Sequence, residues 1–479
     1  MEGPLTPIPA GHAASHADTR ARPARKGGEA LGKRLLALVT ALILWAGGIA
    51  AAEETGDALR RGDRGEAVQA LQTMLQELGY DPGKIDGIYG ARTAEAVRAF
   101  QGDHGLPADG EAGAETLSAL RTALADPAQR SSNLARIKQI TAANGVRRGT
   151  VLLTRGGETL LDYSFGGMTE ETCLRVASVT KWVTAIGLMT LYDQGKLDLD
   201  EDIGRYLPFP VRNPAWPDVP ITARMLLTHT SSLSPKATNY HPNWKRIGKN
   251  GYDPVFTEKI RPGSQYAYAD YNGAMFGCLI EAITGESVQR YLDRTVFKPL
   301  GITASYDPGL LPAGTPTDSL LNPRGGVQIS VSRDLSRGYR NRADPAGNCG
   351  YTVGRLYTNA LGLTRLAEMM LGGGAWNGIR ILSEETVRLM EADQPGLAKS
   401  PYGLSNVRET RFPGGTWYGH QGRYSGLSAN VYYQRETGAV LVMILNGYDY
   451  QLEENVVLPA ATMLREMESF LRQAEQADR

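Results

Sequence analysis

Three short stretches of this chain hold residue types that could together transfer an acyl group. The first is Ser178-Val179-Thr180-Lys181, the only Ser-x-x-Lys in the sequence. A serine hydroxyl at neutral pH is a poor nucleophile unless a neighbouring base takes its proton. Ser and Lys three apart on a helix share one face, which brings the amine within reach of the hydroxyl. A helix beginning there would also aim backbone N–H groups at any oxyanion that formed. The second stretch is Tyr268-Ala269-Asp270, which follows Arg261-Pro262-Gly263-Ser264. The third is His420-Gln421-Gly422, followed by Arg423. They add a phenol, a carboxylate, an imidazole and a guanidinium.

These groups need elements to hold them. Ser178 comes after the extended apolar run Cys173–Ala177 and opens a helix read over Lys181–Leu197. Tyr268 precedes an apolar helix at Ala274–Ile283, and the His420 motif stands immediately before the penultimate strand. Gly149–Thr154 and Thr159–Tyr163 read as strands around Gly156-Gly157, a hairpin signal. Ser428–Gln434 and Ala439–Leu445 repeat that design around Glu436-Thr437-Gly438, and a further helix reads over Thr364–Leu371. Strands at both ends with helices between them predict an α+β fold. Its antiparallel sheet would be closed by its first and last strands, flanked by helices and joined to a mostly helical subdomain.

Upstream, the pattern changes. Val68, Leu71, Leu75 and Leu78 give one apolar helix face, and Gly79 supplies the stop. Asp86-Gly87-Ile88-Tyr89-Gly90-Ala91-Arg92-Thr93 and Asp109-Gly110-Glu111-Ala112-Gly113-Ala114-Glu115-Thr116 both read D-G-x-x-G-x-x-T. Each box is a tight turn that needs Gly, followed by a new helix. Ala94, Val97 and Phe100 form a second apolar stripe between them. Residues 122–135, with a Pro and a Ser pair, read as a polar connector between this unit, 57–121, and a large one, 136–475.

The chain begins as an address. Residues 1–34 are rich in Ala, Gly, Pro and Arg and read as a disordered basic segment. Leu35–Ala52 then runs without a charge. At ~1.5 Å per residue it covers about 27 Å of a bilayer core of roughly 30 Å. Ala50-Ala51-Ala52 followed by Glu53 suits a cleavage site, so a signal peptide and a membrane anchor both fit, and either implies export. With 51 Lys+Arg against 51 Asp+Glu in 479 residues, no global field gathers polyanions, and nucleic acid is not an expected partner. A composition 42% hydrophobic and 21% charged is that of a globular protein. Cys173, Cys278 and Cys349 lack metal-site spacing, and no metal or cofactor is expected. His104 has no ligand partners nearby, His229 reads as structural, and His241 reads as a loop residue.

Residues 59–121 resemble the three-helix peptidoglycan-binding module of cell-wall hydrolases. The match rests on Gly65-x-x-Val68, Leu71-Gln72, Leu78-Gly79-Tyr80, the two boxes, Phe100-Gln101 and Gly105-Leu106. The resemblance implies peptidoglycan as a partner, with Tyr80 and Tyr89 as candidate stacking surfaces.

The stretch from about 135 to 475 resembles the serine-hydrolase family of class C β-lactamases, D-alanyl-D-alanine carboxypeptidases, D-aminopeptidases and related esterases. Its matching residues run in order. They are Ala177–Lys181, Gln194–Asp200, Tyr206-Leu-Pro208, Leu226–Ser231, Pro262-Gly263, the Tyr268 motif and Gly419–Gly422. The resemblance implies a β-lactamase/transpeptidase-like fold and Ser178 as the acylated nucleophile, with Lys181 holding it. Tyr268 would be the favoured base, Lys181 being the other candidate, since the acylation base of Ser-x-x-Lys enzymes is disputed. His420 stands where the lactamases carry Lys. The oxyanion hole would be the backbone N–H groups of Ser178 and of Arg423, the residue after Gly422. Asp270 departs from the more common Asn. An ionised Asp cannot donate to a substrate carbonyl, which opens ester or unusual amide substrates beside D-alanyl peptides. An inert wall-binding scaffold is the reading from another class. In an exported protein Cys173 and Cys349 could pair.

Overall fold

The computed structural model describes residues 58–475 apart from 79, 105, 114, 118, 121–126, 238–254, 338–342, 346–348 and 454. The expected basic lead (1–34), the apolar stretch (35–52) and His241 lie outside the described residues. Among the described residues no helix is long and apolar enough to cross a membrane. The chain divides into two compact units, one ending at Ala125 and the other running from Asp126 to Arg479.

In the small unit, helix α1 (Glu66–Glu77) buries Val68, Leu71 and Leu75, and helix α2 (Ala91–Asp103) buries Ala94, Val97 and Phe100. Two glutamines explain why the D-G box recurs. Gln72 accepts from the backbone N–H groups of Asp86 and Gly87 at 3.1 and 2.9 Å, and donates to Ile88 O and Thr93 Oγ1. Gln101 does the same for the second box. It accepts from Gly110 N at 2.9 Å and donates to Glu111 O and Thr116 Oγ1. Each buried amide thus satisfies a turn that would otherwise leave polar groups orphaned. Tyr89 is not a stacking surface. It is 1% exposed, and its hydroxyl donates to Gly110 O at 2.9 Å, tying one box to the other.

Along the large unit come α3 (Pro127–Ala143), β1 (Arg148–Arg155), β2 (Glu158–Phe165), α4 (Val179–Asp193), α5 (Asp270–Thr284), α6 (Ala360–Leu371), β3 (Val407–Glu409), β4 (Trp417–Tyr424), β5 (Leu427–Gln434), β6 (Ala439–Asn446) and α7 (Leu458–Glu475), besides shorter pieces. The antiparallel sheet has the order β3-β4-β5-β6-β1-β2, so the first strand closes onto β6, with Arg148 opposite Asn446 and Arg155 opposite Ala439. Gly156 and Gly157 both hold positive φ, which a two-residue hairpin matching the strand twist requires. β5 and β6 are buried along their whole length because both faces are covered. Val431, Val442 and Ile444 join a core with α4, α5 and α6, while Tyr432, Leu441 and Met443 join another with α3 and α7. Helix α4 is buried from Val179 to Leu191, and apolar residues around its whole circumference suit that central place.

The stretch read as a connector, 122–135, contains the division between the two units and is helical from Pro127 onward, proline being tolerated in a first helical turn. His420-Gln421-Gly422 stands shortly before β5 and lies within a strand of its own, β4. One expectation needs correction. Cys173 and Cys349 do not pair, and all three cysteines are buried and outside any disulfide.

Candidate active site

Ser178 is delivered by a strained turn. Leu174–Arg175 pairs with Tyr357–Thr358, and Val176 N donates to Leu356 O at 3.0 Å. Ala177 then adopts φ +46°, a left-handed conformation that costs a non-glycine residue about 1–2 kcal/mol. Ser178 sits at the N-cap of α4, yet its side chain makes no capping bond. The hydroxyl is therefore presented and not spent on the helix. Strand β4 passes against this turn at Gly422, where a Cβ would meet Val176 O at 2.1 Å and Ser178 N at 3.0 Å. Only glycine allows that approach, which brings the backbone leading into Arg423 beside the serine.

Lys181 stands one turn into α4 and has no exposed side-chain surface. Its Nζ donates to Ser178 Oγ at 3.0 Å and to Val353 O at 2.9 Å, and lies 2.7 Å from Asp270 Oδ1. It also lies 5.4 Å from the centre of the Tyr268 ring. A buried ammonium survives only when it is paired and hydrogen-bonded. Burial pulls the Lys181 pKa down, but Tyr268 and Asp270 outweigh it and hold the amine above the ordinary lysine value. Lys181 is thus a cation, not a free base. Its stem runs past Gly273 of α5, where a Cβ would stand 2.7 Å from Lys181 Cγ.

Tyr268 is half-buried, and its ring stacks on His229 with centroids 4.2 Å apart. Tyr402 touches both His229, at 5.2 Å, and His420, at 5.6 Å. His420 is 1% exposed, with Nδ1 bonded to Gln421 O at 2.8 Å. Burial, reinforced by the Lys181 charge, pushes its pKa down to about 3, so the imidazole is neutral at physiological pH. A cavity of about 230 Å³, lined by Thr228, Leu397, Ser400 and Tyr402 among others, borders this aromatic group. Arg423 is exposed, and the Asp270 carboxylate is 41% exposed.

The structure therefore puts Lys181 in direct contact with both Ser178 and Asp270, sets the Tyr268 ring near the ammonium, joins His420 to them through aromatic rings, and packs Gly422 on Ser178. Sequence reasoning missed Val353, Gly273 and Tyr402. A backbone acceptor leaves no trace in residue type, and a single glycine or tyrosine carries no spacing signal. His104 bonds Phe100 O through Nδ1 at 2.8 Å, and among the described residues no cluster of His, Cys, Asp and Glu could hold a metal ion.

Comparison with known proteins agrees with this architecture. Residues 134–457 match the family described as "Beta-lactamase", and residues 64–120 match the "Putative peptidoglycan binding domain". Penicillin-binding protein 4* of Bacillus subtilis is 29% identical over 183 residues, covering 34% of this chain and 39% of that protein. The "Putative D-alanyl-D-alanine carboxypeptidase" of Escherichia coli is 27% identical over 251 residues, covering 46% and 56%. The chain thus spans less than two thirds of either relative. The D-amino acid amidase of Ochrobactrum anthropi, solved with L-phenylalanine amide, superposes with a TM-score of 0.51 at 21% identity, covering 72% of this chain and 98% of that one, a likeness of fold. This chain belongs to the β-lactamase family and carries a peptidoglycan-binding domain ahead of its hydrolase fold.

Proposed function

We propose that this protein is an exported serine hydrolase that cleaves D-alanyl peptides or related amides of the cell wall through an acyl-enzyme on Ser178. The observation that carries the reading is the 3.0 Å bond from Lys181 Nζ to Ser178 Oγ, made by a lysine that Asp270 and Tyr268 keep charged. A lysine held as a cation cannot accept the serine proton, which favours Tyr268 as the base.

In this scheme the Tyr268 oxygen acts as the base, with the Lys181 ammonium 5.4 Å from its ring centre. Ser178 Oγ attacks the substrate carbonyl carbon and its proton passes to the Tyr268 oxygen. The carbonyl oxygen becomes an oxyanion facing the backbone N–H groups of Ser178 and Arg423, a preorganised site of the kind that dominates acyl-transfer catalysis. Collapse expels the amine, which takes the proton from Tyr268, and leaves an ester on Ser178. Water then loses a proton to Tyr268 and attacks the ester carbonyl; collapse breaks the bond to Ser178 Oγ, which takes that proton back from Tyr268, and the acid is freed. Lys181 stays charged throughout. The peptidoglycan-binding domain supports the wall as the place of action.

A second reading, an esterase or D-amino-acid amidase, is favoured by Asp270. Its carboxylate already holds Lys181 and can offer a substrate only acceptor atoms. Turnover of an N-acylated D-alanyl-D-alanine peptide, a short-chain acyl ester and a D-amino acid amide separates the two. Release of D-alanine, abolished in Ser178→Ala, supports the peptidase. Ester or amide turnover without it supports the second reading. No Ser178-dependent turnover of any of them would leave an inert scaffold.

A further inference from the structure

The loop after Leu226-Leu227 holds a histidine in an uncommon conformation. His229 has φ +56°, is 1% exposed, and lies 40 residues before the part of the chain that it touches. Its backbone oxygen accepts from Ala267 N at 2.9 Å. Its Nδ1 accepts from Ala269 N at 3.2 Å and faces the Asn272 amide nitrogen at 2.9 Å. Ser231 Oγ donates to Asn272 Oδ1 at 2.6 Å, which turns the amide so that its NH₂ meets the imidazole. With two N–H donors converging on Nδ1, the ring proton sits on Nε2 and the imidazole is neutral.

The residues on either side of Tyr268 are thus both bonded to His229, while the Tyr268 ring lies on the imidazole with centroids 4.2 Å apart and planes 27° apart. Tyr402 packs edge-on against the same ring with centroids 5.2 Å apart, and its own ring lies 6.2 Å from that of Tyr268. We infer that His229 is a positioning residue, whose Nδ1 and ring face fix the Tyr268 phenol over Lys181 and Ser178 for proton transfer. The inference rests on the acyl-transfer reading above. A histidine that merely filled space would not need an acceptor at Nδ1, whereas one that aims Tyr268 does. A misplacement of about 1 Å in a catalytic group can cost on the order of 100-fold in rate.

The chemistry of the side chains separates the two roles. Asn at position 229 sets its Oδ1 near the place of Nδ1 and can accept from Ala269 N. Leu fills similar volume without an acceptor, and Gln reaches toward the place of Nε2 instead. The test measures kcat and KM of His229→Asn, His229→Gln and His229→Leu on the substrate that the wild type turns over, with thermal midpoints and Ser178→Ala as the control. Expected is His229→Asn within about tenfold of wild type and the other two down about 100-fold in kcat with KM little changed. Activity that follows volume, with Leu equal to or above Asn, overturns the inference, as does a loss that only parallels the thermal midpoints. Turnover persisting in Ser178→Ala overturns the acyl-transfer reading itself. Crystal structures of the three variants then decide the positioning claim separately. The Tyr268 ring should stay in place with Asn and be displaced with Leu and Gln, and a ring unmoved in His229→Leu contradicts it.

Discussion

Asp270 Oδ1 stands 2.7 Å from Lys181 Nζ, and this carboxylate pairs with a wholly buried ammonium beside Ser178. The pairing links two motifs separated by 89 residues of chain, and it turns an unusual residue of the Tyr268 motif into an electrostatic partner of the nucleophile's own helix. Asp270→Asn should therefore lower the Lys181 pKa, because one of the two influences that raise it is gone. The alkaline limb of kcat/KM is expected to move to lower pH. Acylation by a penicillin should rise relative to ester turnover, since an amide can donate to a carbonyl. Stopped-flow pH profiles with both donors check this, and an unmoved alkaline limb would contradict it.

Removal of the ammonium should be more damaging. Lys181→Met leaves Ser178 Oγ and Val353 O without their shared donor. A loss of about 100- to 10,000-fold in kcat/KM is expected, the usual range for a positioned proton-transfer partner. Ester turnover of the purified variant, with circular dichroism to verify folding, measures it.

Two glycines set approach distances that no other residue allows. A Cβ at Gly422 would lie 2.1 Å from Val176 O, a backbone atom that cannot swing away. Gly422→Ala should push β4 off the Ser178 turn and cost at least about 100-fold in kcat, as loss of an oxyanion donor does. At Gly273 the obstructed atoms belong to the Lys181 stem. Gly273→Ala should impair catalysis more than stability. Parallel kinetics and thermal melts distinguish the two cases.

The buried histidines make stability depend on acid. His420 has a folded pKa of about 3, and His229 lies well below the ordinary value, both chiefly through burial. A depressed histidine binds its proton in the unfolded chain first, so the stability that its neutral form contributes is complete above an unfolded pKa of about 6.5 and is lost as pH falls. Denaturant unfolding between pH 6.5 and about 3 should show a slope of up to two protons, near 1.4 kcal/mol per pH unit for each. Replacing His420 with Gln should remove about one proton of that dependence. Lys181 acts at the other end. Its raised pKa stabilises below the ordinary lysine value, and that contribution is lost as pH rises through the folded pKa.

The small unit should fail separately. Gln72→Leu strands the buried N–H of Gly87, at about 1–3 kcal/mol, besides the part-buried N–H of Asp86, in a domain too small to absorb it. Co-sedimentation with insoluble peptidoglycan should drop, while turnover of a soluble ester stays at the wild-type level. Retained sedimentation would contradict the role assigned to the glutamine.

How much of this was legible in the sequence follows the range of each interaction. Ser178 and Lys181 share a helical turn, so their meeting could be read from spacing, as could the β1–β2 hairpin from Gly156-Gly157. The D-G repeat was visible, but the glutamines behind it were only part of a resemblance until their bonds were seen. Strand β4 was hidden because Gly419 and Gly422 interrupt the alternation that marks a strand, and the glycine at 422 is there for the sake of Ser178. The Lys181–Asp270 pair, the Val353 acceptor and the His229 clamp depend on tertiary folding across tens to hundreds of residues, and no local pattern encodes them. Asp270 is legible as a departure from the more common Asn, but its partner Lys181 is not.

The most direct measurement is to quench the protein in acid during turnover of an acyl ester or with a penicillin, digest it, and locate the added mass. The account predicts an acyl group on the peptide that holds Ser178, absent from Ser178→Ala. An acyl group on another residue, or turnover that survives Ser178→Ala, would contradict it.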